Sequence, residues 1–197
     1  MLVILLLRRL IIMRNILKGD DIRLTSIRKE DIPLMEEWFN DVEFLRYYDM
    51  VPAMPKSVEQ IEKMVEEHYQ STEKCMYAIR INETDKIIGI TGFIDIIWSN
   101  GTAMFYIGIG DKSYTSKGLG KEVMKLMLDF GFNELNFHRI HLNVISYNER
   151  AIKLYESFGF VREGTYREFI NRDGKRYDLY LYGLLKAEWE KSLQREN

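Results

Sequence analysis

Cysteine is nearly absent. Cys75 is the only one in 197 residues, which excludes an internal disulfide framework and fits a reducing, cytoplasmic compartment. It sits in an apolar run, residues 75–81, that reads as a buried strand, so a packing role is expected for it. The three histidines and the single cysteine show no metal-ligand spacing, and no metal is expected. Nor is there a serine in an elbow motif with histidine and acid partners. Prolines number three, Pro33, Pro52 and Pro55, and no repeat or low-complexity linker divides the chain. Charge of one sign is lacking as well: Lys and Arg total 28 against 30 Asp and Glu, a net charge of −2. That removes the basic footprint of a nucleic-acid binder and favours a small-molecule or protein substrate. No apolar run approaches the roughly 20 residues needed to cross a bilayer. The nearest, residues 1–13, is interrupted by Arg8 and Arg9 and lacks both a basic lead and a small-residue cleavage site. Met13 opens a natural-looking start, so residues 1–12 are read as an extension without function and residues 13–197 as one domain.

What is present is enough apolar character, 46%, for one sizeable core. Residues 22–27 alternate as a strand, and Ile32, Met35, Trp38 and Phe39 then recur at helical spacing. A second helix opens at Ser57, with Gln60 placed to complete a capping box and Ile61, Met64, Val65 and His68 on its apolar face. Residues 41–56 between them read as loop. Strands follow at 76–81, 86–98 and 102–109, with Asn100-Gly101 as a type I′ hairpin turn between the last two. A glycine-containing loop, 114–120, enters an amphipathic helix with Val123, Leu126, Met127 and Phe130 inward. A strand (139–145), a helix (149–158), two strands (160–170 and 176–184) and a terminal helix (186–193) complete the order.

Two segments carry chemistry. In Thr115-Ser116-Lys117-Gly118-Leu119-Gly120-Lys121, between a strand and a helix, glycines let backbone approach a ligand, and unpaired amides at the helix start suit a phosphate. An ordinary strand-to-helix turn would read the same way. The second segment, residues 148–160, starts with Asn148 as a helix cap and ends with Gly159 as a stop before a new strand.

Together these segments resemble the acetyl-CoA-binding motifs of GCN5-related (GNAT) N-acetyltransferases, in particular the branch of ribosomal-protein alanine acetyltransferases and spermidine acetyltransferases. The resemblance runs from about residue 22 to 189. It implies an α/β (α+β) fold, a mixed and mostly antiparallel sheet flanked by helices, with a splayed strand pair forming the acetyl-CoA cleft. It further implies that Ile107, Gly108 and Ile109 pair with the pantetheine arm and polarise the thioester carbonyl. Thr115, Ser116, Lys117, Gly118, Leu119, Gly120 and Lys121 would hold the pyrophosphate, and Asn148 would reach the pantetheine. Tyr155 matches the tyrosine that protonates the departing thiolate, whose reference pKa is near 8.5. The chain departs from the family where Thr115 stands in place of the usual Arg or Gln.

A second departure is the strand before the loop, which reads Met104-Phe105-Tyr106 where many relatives place a Glu that serves as general base. His138, His141, Asp95 and Glu43 are the remaining candidates for that role. An α-amine has a reference pKa near 7.7–8.0 and a lysine-like amine near 10.4, so the first needs less help from a base. The expected acceptor is therefore a protein N-terminal α-amine. A polyamine is the alternative, supported by the resemblance of residues 161–184 to the spermidine enzymes and by acidic clusters at Glu36-Glu37, Asp41, Glu43 and Glu66-Glu67. A module that holds acetyl-CoA without turnover is the reading from another class. Expected partners are a small-molecule or peptide amine, with a homodimer allowed, and no nucleic acid or membrane.

Overall fold

In the computed structural model, which describes residues 15–195, the alternation at residue 22 becomes β1 (Ile22–Thr25), with Ile22 and Leu24 buried. The extension expected at residues 1–12 lies outside the described residues. From β1 the chain enters α1 (Ile32–Asn40), which buries Ile32, Met35, Trp38 and Phe39, the four positions its spacing nominates. A helix follows where a loop is expected: α2 (Val42–Tyr48) is too short to show a period. It is started by Asp41, whose carboxylate accepts from the Glu43 amide at 2.9 Å. The Ser57/Gln60 capping box forms as expected and opens α3 (Val58–Gln70).

The sheet has seven strands in the order β1-β2-β3-β4-β5-β7-β6. β2 (Cys75–Ile81), β3 (Ile87–Ile97) and β4 (Thr102–Ile109) form the antiparallel meander; β5 (Arg139–Ile145), β6 (Val161–Arg172) and β7 (Lys175–Leu185) form the other half. α1, α2 and α3 cover one face, where Met35, Phe39 and Ile61 pack on Met76, Ala78 and Ile90. α4 (Leu119–Asp129) and α5 (Glu149–Ser157) cover the other, with Val123, Met127 and Tyr155 against Phe105, Ile140 and Leu142. α6 (Lys186–Arg195) follows β7 and anchors Trp189 beside Phe132.

One turn differs from expectation. Residues 98–101 make a 3-10 turn in which Gly101 alone has positive φ, so it is not type I′. The type I′ signature appears instead between β6 and β7, where Asp173 and Gly174 both have positive φ and Arg172 pairs directly with Lys175. A buried ion pair, Arg80 with Asp31, ties the start of α1 to β2, with Arg80 also donating to Thr25 Oγ1 at 2.8 Å. Removing either partner would strand a charge in the core.

Candidate functional site

Among the described residues β4 and β5 are the only parallel neighbours in the sheet, and they pair only at Thr102, Ala103 and Met104 with Arg139, Ile140 and His141. Beyond Met104 the two strands part, while β4 stays paired with β3 out to Ile109 and β5 with β7 out to Ile145. From Phe105 onward the β4 edge facing β5 therefore has no strand partner, and alternate amides are directed into the gap. The fork opens a cavity of about 1190 Å³ that passes between the two halves of the sheet.

One end of this channel is the glycine loop. Gly118 stands at the start of α4 with φ +83° and open space where a Cβ would project, so only glycine holds that backbone without strain and without filling the cleft. Among the described residues no acceptor takes the amides of residues 116–120, which leaves them available to an anion at the positive end of α4. Thr115, Ser116, Gly118, Gly120 and Lys121 line the channel. Lys117 and Leu119 do not: the Lys117 ammonium lies 5.1 Å from the Tyr114 ring centroid, and Leu119 is buried in the core. The Thr115 hydroxyl donates to the Lys112 carbonyl at 2.9 Å, so it shapes the loop.

The middle of the channel is lined by Ile107, Gly108, Ile109, Asn148 and Tyr155. Asn148 caps α5, its Oδ1 accepting from the Ala151 amide at 3.2 Å, and its Nδ2 donates to the Tyr47 carbonyl at 3.4 Å. Tyr155 is 7% exposed and its ring tilts against Phe160. No protein group hydrogen-bonds to its hydroxyl among the described residues, and its oxygen is not among their sealed, unpartnered atoms, so it opens onto the channel. Burial pushes its pKa up to about 12, which keeps it protonated at neutral pH and able to donate.

The far end lies under α1, α2 and α3 and is walled by Phe39, Tyr48, Met64, His68, Met104 and Tyr106. Gly108 admits this wall: a Cβ there would sit 2.6 Å from the Tyr48 ring. Burial raises the phenol pKa of both Tyr48 and Tyr106. The floor is fastened from a distance, since Arg172 donates to the carbonyls of Asp49, Met50 and Val51, Tyr147 donates to the Arg46 carbonyl, and Arg46 pairs with Asp173.

Of the four general-base candidates, only Glu43 lines the channel, and its carboxylate is 2.8 Å from the Lys112 ammonium. His138 and Asp95 are exposed and line no part of it. His141 lies on β5 outside the lining, its pKa lowered by burial and by Arg139. His68 was legible only as a residue on the apolar face of α3. Among the described residues there is no metal-binding group and no helix long and apolar enough to cross a membrane.

Residues 21–161 match the family model described as "Acetyltransferase (GNAT) domain". The chain is similar to the SPbeta prophage-derived uncharacterized N-acetyltransferase YokL of Bacillus subtilis (strain 168), with 31% identity over 172 residues, covering 87% of this chain and 94% of that protein. It is also similar to the spermidine N(1)-acetyltransferase of Vibrio cholerae, with 24% identity over 171 residues, 87% of this chain and 96% of that protein. A crystal structure of spermidine N-acetyltransferase from Vibrio cholerae in complex with CoA and spermine superposes with a TM-score of 0.80 at 23% identity, covering 87% of this chain and 99% of that one.

Proposed function

The chain belongs to the GNAT acetyltransferase family, and on that premise we propose that it moves the acetyl group of acetyl-CoA onto a primary amine of a polyamine-type acceptor. The observation that carries this reading is the single channel through the β4/β5 fork, which joins an amide-rich loop at one end to an aromatic chamber at the other. The loop end suits a pyrophosphate, held by free amides and by Lys121. The unpaired β4 edge suits an extended pantetheine arm, and amides among Ile107, Gly108 and Ile109 suit the developing oxyanion. An acetyl donor and an amine acceptor that enter from opposite ends of a channel and meet within it need no covalent enzyme intermediate. The amine attacks the thioester carbonyl directly, and the C–S bond breaks with its electron pair on sulfur. The Tyr155 hydroxyl then donates its proton to that sulfur.

The expected preference for a protein α-amine yields to the polyamine alternative. Named relatives that span most of this chain are spermidine N(1)-acetyltransferases. Aromatic walls of Phe39, Phe44, Tyr48 and Tyr106 favour an alkylammonium through their ring faces. Asp49 and Glu149, also on the lining, add carboxylates that suit a polycation. The test is thiol release from acetyl-CoA with spermidine, spermine and unblocked peptides in parallel. Release with the polyamines and none with peptides is the expected result. Release with peptides alone restores the α-amine reading, and stabilisation by acetyl-CoA without release on any amine leaves a sensor.

A further inference from the structure

A polyamine nitrogen is an ammonium at neutral pH, and it cannot attack a carbonyl until a proton is taken from it. β4 supplies no carboxylate for this: the residues before the cleft are Met104, Phe105 and Tyr106. Glu43 on the channel wall is engaged by Lys112. We infer that His68 is the proton acceptor, its Nε2 taking the proton of the substrate ammonium at the aromatic end of the channel.

Three observations support the assignment. His68 lies in the last turn of α3 and forms part of the channel wall beside Met64, Met76, Met104 and Tyr106. Its ring centroid is 6.4 Å from that of Tyr106. Tyr106 directly precedes Ile107–Ile109 on β4, the edge on which the acetyl group is expected to lie. Finally, Nδ1 is 2.7 Å from the Met64 carbonyl oxygen. A carbonyl only accepts, so Nδ1 carries the hydrogen and the neutral ring presents a lone pair at Nε2. No hydrogen bond to Nε2 occurs among the described residues.

The surrounding charges agree with a base that is free at neutral pH. Burial lowers the His68 pKa and outweighs the hydrogen bond to the Met64 carbonyl, which raises it; Lys74 lowers it further, and Glu67 opposes that. Beside His68, Tyr106 and the neighbouring Tyr48 stay protonated. Glu43, Asp49, Lys56 and Lys112 line more distant parts of the same wall. The protons balance: one passes from the ammonium to Nε2 and on to solvent. A second N–H proton leaves the adduct as the amide forms and restores Tyr155 after that residue has protonated the sulfur.

The proposal rests on the acetyl-transfer reading, and the test separates the two. His68→Asn keeps an amide N–H where Nδ1 donates to Met64 but has no base at Nε2; His68→Gln keeps a polar atom near Nε2 but loses that donor. Wild type and both variants would be compared with acetyl-CoA and spermidine in single turnover across pH 6–10, with acetyl-CoA thermal stabilisation confirming that each is folded. The expected wild-type rate is flat from neutral pH upward. Both variants should fall about 10²-fold at pH 7, then climb toward wild type as the amine deprotonates near its reference pKa of about 10.4. Variants slowed equally at every pH, or not slowed, overturn the role of His68. A wild type that releases no thiol with any amine overturns the acetyl-transfer reading itself.

Discussion

The two ends of the channel are built by different means. At the glycine-loop end the backbone turns are set by near neighbours, Ser113 donating to Asp111 and Thr115 to Lys112, each within three residues, while distant ion pairs only reach the side chains of Asp111 and Lys112. At the aromatic end, the α2 segment is held by Tyr147 and Asn148 from 101 residues away, by Arg172 from 121 to 123, and by Asp173 from 127. A ligand common to a whole family can be served by a local motif. A partner that varies is served by tethers that can be changed without disturbing that motif.

If the ends are separate, damage to each should show in a different constant. The largest effect is expected from Gly120→Glu. A Cβ at Gly120 has room, with Leu154 at 3.5 Å, so the fold should survive while the added carboxylate occupies the anion site. Calorimetry or thermal shift should register no acetyl-CoA binding, and normal binding would place the pyrophosphate elsewhere. Tyr155→Phe comes next. It should lower the single-turnover rate by about 10²-fold to 10⁴-fold with acetyl-CoA affinity unmoved; an unchanged rate would reduce Tyr155 to packing. Arg172→Ala strips the donor from three carbonyls of residues 49–51, and should raise the amine KM by about tenfold. A matching loss of acetyl-CoA affinity would mean that the ends are coupled and the comparison fails. The smallest change belongs to Asp173→Asn, an exposed pair with Arg46, expected to shift amine KM less than about threefold and not at all in high salt. Arg46 holds the Asp173 carboxyl below the usual carboxylate range. The tether is thus intact at neutral and alkaline pH, and is lost only in acid, as pH falls through that lowered value.

The same division explains what could be read before any coordinates. The glycine loop, the Ser57 capping box, the core positions of α1 and the order of elements all depend on spacings of a few residues, and each stands where its pattern puts it. α2 escaped notice because seven residues cannot show a helical period, although Asp41 at its cap was a usable signal. Lys117 and Leu119 belong to the loop by sequence, yet their side chains leave the channel for the Tyr114 ring and the core. His68 is the clearest miss. An apolar-face position and a channel-wall position are identical in a one-dimensional pattern, and only the contact of His68 with the Tyr106 ring of β4 distinguishes them. The tethers from residues 172 and 173 carried no signal, since nothing in the chain marks a residue for contact with one more than a hundred positions away.

Only three residue pairs join β4 to β5, so in hydrogen-bonding terms the sheet is two panels hinged at one corner, β1–β4 and β5–β7, and their union depends mainly on the core under α4. Panels so joined should behave as separable cooperative units in native-state hydrogen exchange, with the alternate amides of β4 that face the gap past Met104 among the first to exchange. A molecule lodged along that edge would act as a rivet. It would slow exchange in both panels at once, and raise their melting together by an amount that tracks its concentration.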